Sequence, residues 1–192
     1  MSQPKILAFA GSTRRNSYNR QALQIAVAGA RAAGADVTVV DLKDYPLPLM
    51  NEDLEREEGI PAEATQLKQL FFENEGLLIA SPEYNSSITP LLKNTIDWVS
   101  RKAEGETPLQ AYRGKVAALV SASPGGLGGL RGLVHVRSIL GNIQVTVLPD
   151  QIAISNAGQA FDDEGQLKDA SLQQNVESLG KTLAEMVGKL TR

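Results

Sequence analysis

Residues 5–19 read KILAFAGSTRRNSYN. After Lys5 the run is apolar to Ala10 and stops at Gly11, and a short apolar run bounded by a turn residue suits a strand buried on both faces. The period then changes. From Asn19 to Ala33 the sequence NRQALQIAVAGARAA is alanine-rich, with Leu23, Ala26, Val27 and Ala30 spaced along one helical face and Gly34 closing it. A strand that passes through a polar loop into a helix is the opening unit of an α/β sheet. This loop also carries Arg14 and Arg15, where a turn alone needs only small polar residues.

Outward from this unit the alternation continues. Strands are expected at Asp36 to Leu42, Gly76 to Ala80, Val116 to Ser121 and Gln144 to Leu148. Helices are expected from about Ala62 to Asn74, from Thr89 or Pro90 to Lys102, from Gly129 to Leu140 and from Ala170 to Leu190. Residues 43–61 hold three prolines and a charge cluster and read as a long surface connection, with EDLEREE at 52–58 as a solvated loop or short helix. Five strands alternating with five helices imply a parallel sheet covered on both faces.

At 192 residues the chain is long enough for one substantial core and short for two, so residues 1–192 are expected to form a single domain. A net charge of −3 offers no chain-wide basic surface, which argues against nucleic acid or an anionic membrane as the partner. The absence of cysteine excludes disulfides, thiolate catalysis, iron–sulfur clusters and cysteine-ligated zinc, and a single histidine, His135, excludes a histidine-rich metal site. The N-terminal apolar run is too short for a signal-peptide core or a membrane span, so a cytoplasmic protein is expected.

In open parallel sheets, ligands bind beyond the carboxyl ends of the strands. The first, third and fourth strands end in GSTRRNSYN, SPEYNSS and SASPGGLGG, which places all three loops on one rim. The first loop offers hydroxyl and amide groups, the N–H groups of the following helix and the charged fork of Arg14, a set suited to a phosphate. The plainer reading of that loop is an N-cap by Ser17 or Asn19 with solvated arginines. No Walker A string occurs, Thr13 stands where the dinucleotide fingerprint needs its second glycine, and GGLGGLRG has Arg131 where that fingerprint needs its last. A hydroxyl-rich first loop at the switch point between the first and third strands is instead how the flavodoxin-like fold holds FMN. Expected, therefore, is a flavodoxin-like three-layer sandwich, a parallel sheet of order 2-1-3-4-5 with helices on both faces.

GSTRRNSYN, SPEYN and the Ser-Pro-Gly-Gly-x-Gly-Gly run resemble the NADPH-dependent FMN reductase family, whose flavodoxin-like members include quinone, chromate and azo-dye reductases. The resemblance covers almost the whole chain, including the stretch PLPLMNED at 46–53. It implies that Ser12, Arg14, Ser17 and Asn19 hold the FMN phosphate. Pro82, Glu83, Tyr84 and Asn85 would line the isoalloxazine ring, and Ser123, Gly125 and Gly126 would complete the pocket. It further implies NADPH or NADH as co-substrate, a small-molecule electron acceptor, a ping-pong cycle and a homodimer or homotetramer. No side chain is needed as acid or base. Glu83 is the acid placed within reach of substrate, His135 is read as structural or surface, and Arg15 has no assigned role. Trp98 is read as buried at a core or subunit contact. An electron carrier of the flavodoxin kind, without its own NADPH oxidation, is the competing function, though a charge of −3 is small for such a carrier.

Overall fold

Five strands form in the computed structural model, which describes residues 3–190: β1 (Lys5–Ala10), β2 (Asp36–Val40), β3 (Gly76–Ala80), β4 (Val116–Ala122) and β5 (Thr146–Ile154). All pair in parallel, in the order β2-β1-β3-β4-β5. The outermost residues of the expected 1–192 domain, 1, 2, 191 and 192, lie outside the described residues. The helices are α1 (Tyr18–Ala32), α2 (Glu52–Glu58), α3 (Ala62–Glu73), α4 (Pro90–Ser100), α5 (Leu130–Asn142), α6 (Ala157–Ala160) and α7 (Ala170–Leu190).

The continuous apolar runs of β1, β3 and β4 have a simple cause, since these central strands are covered on both faces. Successive side chains point to opposite sides. Ile6, Ala8, Leu78, Ala80, Ala118 and Val120 pack towards α1 and α7, whereas Leu7, Phe9, Leu77, Ile79, Ala117 and Leu119 pack towards α3, α4 and α5.

The α1/α7 side is built from touching backbones. A Cβ on Gly29 would lie 1.9 Å from the carbonyl oxygen of Glu177, and one on Gly180 would lie 1.8 Å from that of Ala26. The two glycines thus form a reciprocal notch that no other residue fits. The opposite side is different. There the long connection 43–61 is not bare loop: it contains a 3-10 turn (Leu42–Asp44) and α2, which buries no side chain of its own. It is held to α4 by polar groups one helical turn apart. Asn94 Nδ2 and Trp98 Nε1 both donate to the carbonyl of Pro48, at 2.9 and 2.7 Å, and Arg101 pairs with Glu55 at 2.7 Å. Trp98 is fully buried by the chain itself, and Leu92, Ile96 and Val99 are buried with it. That helix face is therefore core and not a subunit contact.

β5 runs six residues beyond its expected end at Leu148. Pro149-Asp150 reads as a turn, but the pairing with β4 shifts between Ala117 and Leu119, and this irregularity absorbs the proline on an edge strand. Arg137 satisfies the carbonyls that the irregularity frees, with Nη2 donating to Leu148 at 2.8 Å and to Pro149 at 3.3 Å. Beyond β5, the short α6 and a bridge between Phe161 and Leu167 bring Phe161 onto Tyr18, rings parallel at 6.0 Å.

Candidate functional site

The loops after β1, β3 and β4 do meet on one rim, and local contacts explain how. Gly11 packs so closely that a Cβ there would lie 3.0 Å from that of Leu92 and 3.3 Å from Pro82. Thr89 fastens the first two loops together: its hydroxyl donates to the Gly11 carbonyl at 2.8 Å and accepts from the N–H of Leu92 at 3.2 Å, capping α4. Asn19, buried at the start of α1, fastens the first loop to β4. Its Nδ2 donates to the Ala122 carbonyl at 2.7 Å, and its Oδ1 accepts from the Ala122 N–H at 3.0 Å.

Between the loops lies a cleft of about 210 Å³. Ser12, Arg14, Ser17 and Asn19 line it from the first loop, Pro82, Glu83 and Tyr84 from the second, and Ser123 from the third. Tyr18, Ala122 and Pro124 also face it, and none of the three carries a group whose type alone would single it out for this role. Asn85, Gly125 and Gly126 are not part of this lining. Asn85 forms the outer end of a tight turn, and the two glycines lie just past Pro124. A Cβ on Gly126 would meet nothing within 4 Å, so this stretch of loop leaves open space. The fold itself demands the next two glycines instead. Gly128 and Gly129 have φ of +63° and +94°, and their Cβ atoms would fall 2.7 Å from the backbone of Ala153 and 2.8 Å from Ser121 Oγ.

The α1 end of the cleft is rich in uncommitted donors. Ser17 is the N-cap residue, buried and in extended conformation, yet its hydroxyl makes no capping bond. The first N–H groups of α1 therefore lack a side-chain acceptor. Arg14 lies exposed with its guanidinium 5.1 Å from the ring of Tyr18, which Phe161 also stacks against. Among the described residues neither Arg14 nor Arg15 has a carboxylate partner. A neighbouring cleft of about 260 Å³ shares Ser12, but the cation that lines it, Arg20, is already paired with Asp41 at 2.9 Å, and Asp44 adds a second carboxylate.

At the opposite end the carboxylate is committed. Glu83 does not stand free for substrate: its carboxylate accepts from Arg131 at 2.6 Å and from the Gly132 N–H at 3.1 Å. Burial by itself would raise its pKa, but these hydrogen bonds and the guanidinium charge outweigh it and hold the carboxyl below its ordinary range. His135 is exposed, with Nδ1 2.9 Å from the hydroxyl of Ser87. Tyr84 leaves its ring largely open to solvent at the mouth of the cleft.

Comparison with known proteins agrees with this geometry. The flavoenzyme FerB of Paracoccus denitrificans, an NAD(P)H:(acceptor) oxidoreductase, shares the fold with a TM-score of 0.80 over 97% of this chain and 98% of its own, at 22% identity. An NAD(P)H-dependent FMN reductase of Pseudomonas aeruginosa is 35% identical over 97% of this chain and 96% of that protein. An NAD(P)H:quinone oxidoreductase of Solanum tuberosum is also 35% identical, over 97% of this chain and 94% of that protein. Residues 4–159 match the family described as NADPH-dependent FMN reductase. With that match spanning most of the sequence, on a flavodoxin-like sheet whose three loops close on one cleft, the chain belongs to the NADPH-dependent FMN reductase family, a family of FMN- and NAD(P)H-dependent enzymes.

Proposed function

We propose that the chain, as one FMN-binding unit over residues 1–192, oxidises NAD(P)H and reduces quinones, with free flavin, chromate and azo compounds as further acceptors. The observation that carries the assignment of the site is the asymmetry of the cleft: unpaired donors at its α1 end and a satisfied wall at the other. These residues fit FMN. Ser12, Arg14 and Ser17 present donors for its phosphate, and Asn19 holds their frame against β4. Pro82, Glu83, Tyr84 and Asn85 form one wall beside the ring, while Ser123, Gly125 and Gly126 leave room on the other.

Bound FMN supplies the two-electron redox chemistry. The chain's part is to bind and orient. Backbone N–H groups of the two loops would act there as fixed dipoles that stabilise negative charge developing on the ring. A ping-pong order, with donor and acceptor using the open mouth beside Tyr84 in turn, is part of this reading. No side chain is assigned as acid or base in this reading, and Glu83 is committed to Arg131 and Gly132. Self-association as a homodimer or homotetramer is part of the same reading. The exposed apolar side chains of Leu130 and Val134 are a surface that such a contact would cover. A cytoplasmic location goes with it.

An anaerobic absorption spectrum before and after stoichiometric NADPH tests this. Prompt bleaching of the flavin bands is expected, followed by parallel double-reciprocal plots when NADPH and a quinone are varied. Flavin bands that persist with both NADPH and NADH would instead indicate an electron carrier, and intersecting plots would remove the ping-pong order.

A further inference from the structure

We propose that Glu83 is a positioning residue for the flavin ring: from the turn after β3 it caps the N-terminus of α5, and so sets the spacing between the two walls of the cleft. This rests on the FMN reading above. The α5 helix begins through Gly129 in the left-handed region, and that N-cap residue has no side chain to cap with. The Leu130 N–H finds the Leu127 carbonyl at 3.0 Å, but the N-cap offers no side-chain acceptor to the Arg131 and Gly132 N–H groups that follow. Glu83, 48 residues upstream of Arg131, supplies one. One carboxylate oxygen accepts from the Gly132 N–H at 3.1 Å, and the other accepts from Arg131 Nε at 2.9 Å and Nη2 at 2.6 Å.

The approach is built for this purpose. A Cβ on Gly132 would lie 3.3 Å from that of Glu83 and 3.2 Å from the Ser87 carbonyl, so glycine lets the turn sit directly on the helix. The turn is itself rigid. Tyr84 and Ser87 exchange both backbone hydrogen bonds, at 2.9 and 3.0 Å, and Asn85 and Ser86 have φ of +49° and +67°, the geometry of a type I′ turn. His135, one helical turn beyond Arg131, lies 2.9 Å from the Ser87 hydroxyl. Both ends of the turn are therefore clamped to one face of α5.

An ion pair between exposed partners contributes little to stability. Here the guanidinium is exposed, but the Glu83 side chain is only 8% so, and one of its two oxygens bonds to backbone. The glycine loop has other ties, from Ser121 Oγ to the Gly128 carbonyl at 2.7 Å and from the Asn156 N–H to the Gly125 carbonyl at 3.3 Å. Those fix it to β4 and to the segment after β5. Across the cleft, towards the turn, Glu83 makes the bridge.

The test compares FMN and riboflavin binding, by flavin fluorescence quenching, for the wild type, Glu83→Gln, Glu83→Ala and Arg131→Ala. Glu83→Gln keeps an acceptor for Gly132 and loses the charge, and should weaken both flavins about tenfold. Glu83→Ala should weaken them further, and Arg131→Ala less. The losses should be equal for FMN and riboflavin, because the ring wall is affected and not the phosphate end. The bound-flavin absorption bands should shift, and amide exchange at Gly132 should quicken in the cofactor-free protein. Binding unchanged in Glu83→Gln and Arg131→Ala, or a loss confined to FMN, overturns the proposal and leaves the FMN site standing. A folded wild type that binds neither flavin overturns both.

Discussion

The two sides of the sheet are held by different physics, and the cleft inherits the difference. On the α1/α7 side, backbones touch through Gly29 and Gly180, and the start of α1 carries the donors assigned to phosphate. On the other side, side-chain hydrogen bonds strap residues 48–55 to α4 and the turn after β3 to α5, and this side carries the wall proposed for the ring. Close backbone contact fixes position through volume exclusion, which one methyl group disrupts. A polar strap fixes position through several separable bonds, each contributing little. The end proposed for the phosphate thus opens the helix that close backbone contact seats on α7, and the end proposed for the ring lies on the side held by polar straps.

The sharpest way to break this contrast is Gly180→Ala, which forces a methyl group onto the Ala26 carbonyl and should lower unfolding stability by about 3 kcal/mol in denaturant titration. A loss under about 1 kcal/mol would show that α7 can shift and that the notch is not tight. Arg14→Ala should weaken FMN by about 2 kcal/mol and leave riboflavin unchanged, since riboflavin lacks the phosphate. Equal losses for both ligands in calorimetry would move the phosphate away from α1.

Trp98→Phe removes the bond to the Pro48 carbonyl and should cost about 1 kcal/mol, with faster amide exchange around residues 48–50 and none in α1 or α7. A pH-dependent test concerns Lys115, whose buried ammonium donates to the Asn74 carbonyl and whose pKa desolvation lowers from 10.5 to about 8, against the opposing charge of Glu75. The folded state binds fewer protons there than the unfolded one, so wild-type stability should rise, relative to Lys115→Met, as pH increases from about 8 towards 10.5. A difference that stays flat or falls over that window in pH-dependent melting would count against the shift.

The sheet order and the three convergent loops were legible because they depend on local pattern: apolar runs buried on both faces, ended by Gly11, Ser81 and Ser123. What escaped the sequence was pairing at long range. Nothing near Asn19 announces that its amide is used by Ala122, 103 residues away, and nothing near Glu83 announces Gly132. The glycine run illustrates the same limit. Its composition does not separate Gly125 and Gly126, which leave space, from Gly128 and Gly129, which the backbone requires. Trp98 could be placed in an apolar helix face from spacing alone, but only the folded chain shows that Pro48 receives its N–H.

The irregular strand at the end of the sheet has a consequence for behaviour at high concentration. An edge strand with a regular row of free N–H and C=O groups is a template for any other extended chain. In β5, Pro149 has no N–H to offer, the register slips beside it, and Arg137 occupies the carbonyls of Leu148 and Pro149. A foreign strand approaching there finds no continuous ladder to join, so this border of the sheet resists sheet-to-sheet polymerisation without a charged residue having to point inward or a helix having to cover it.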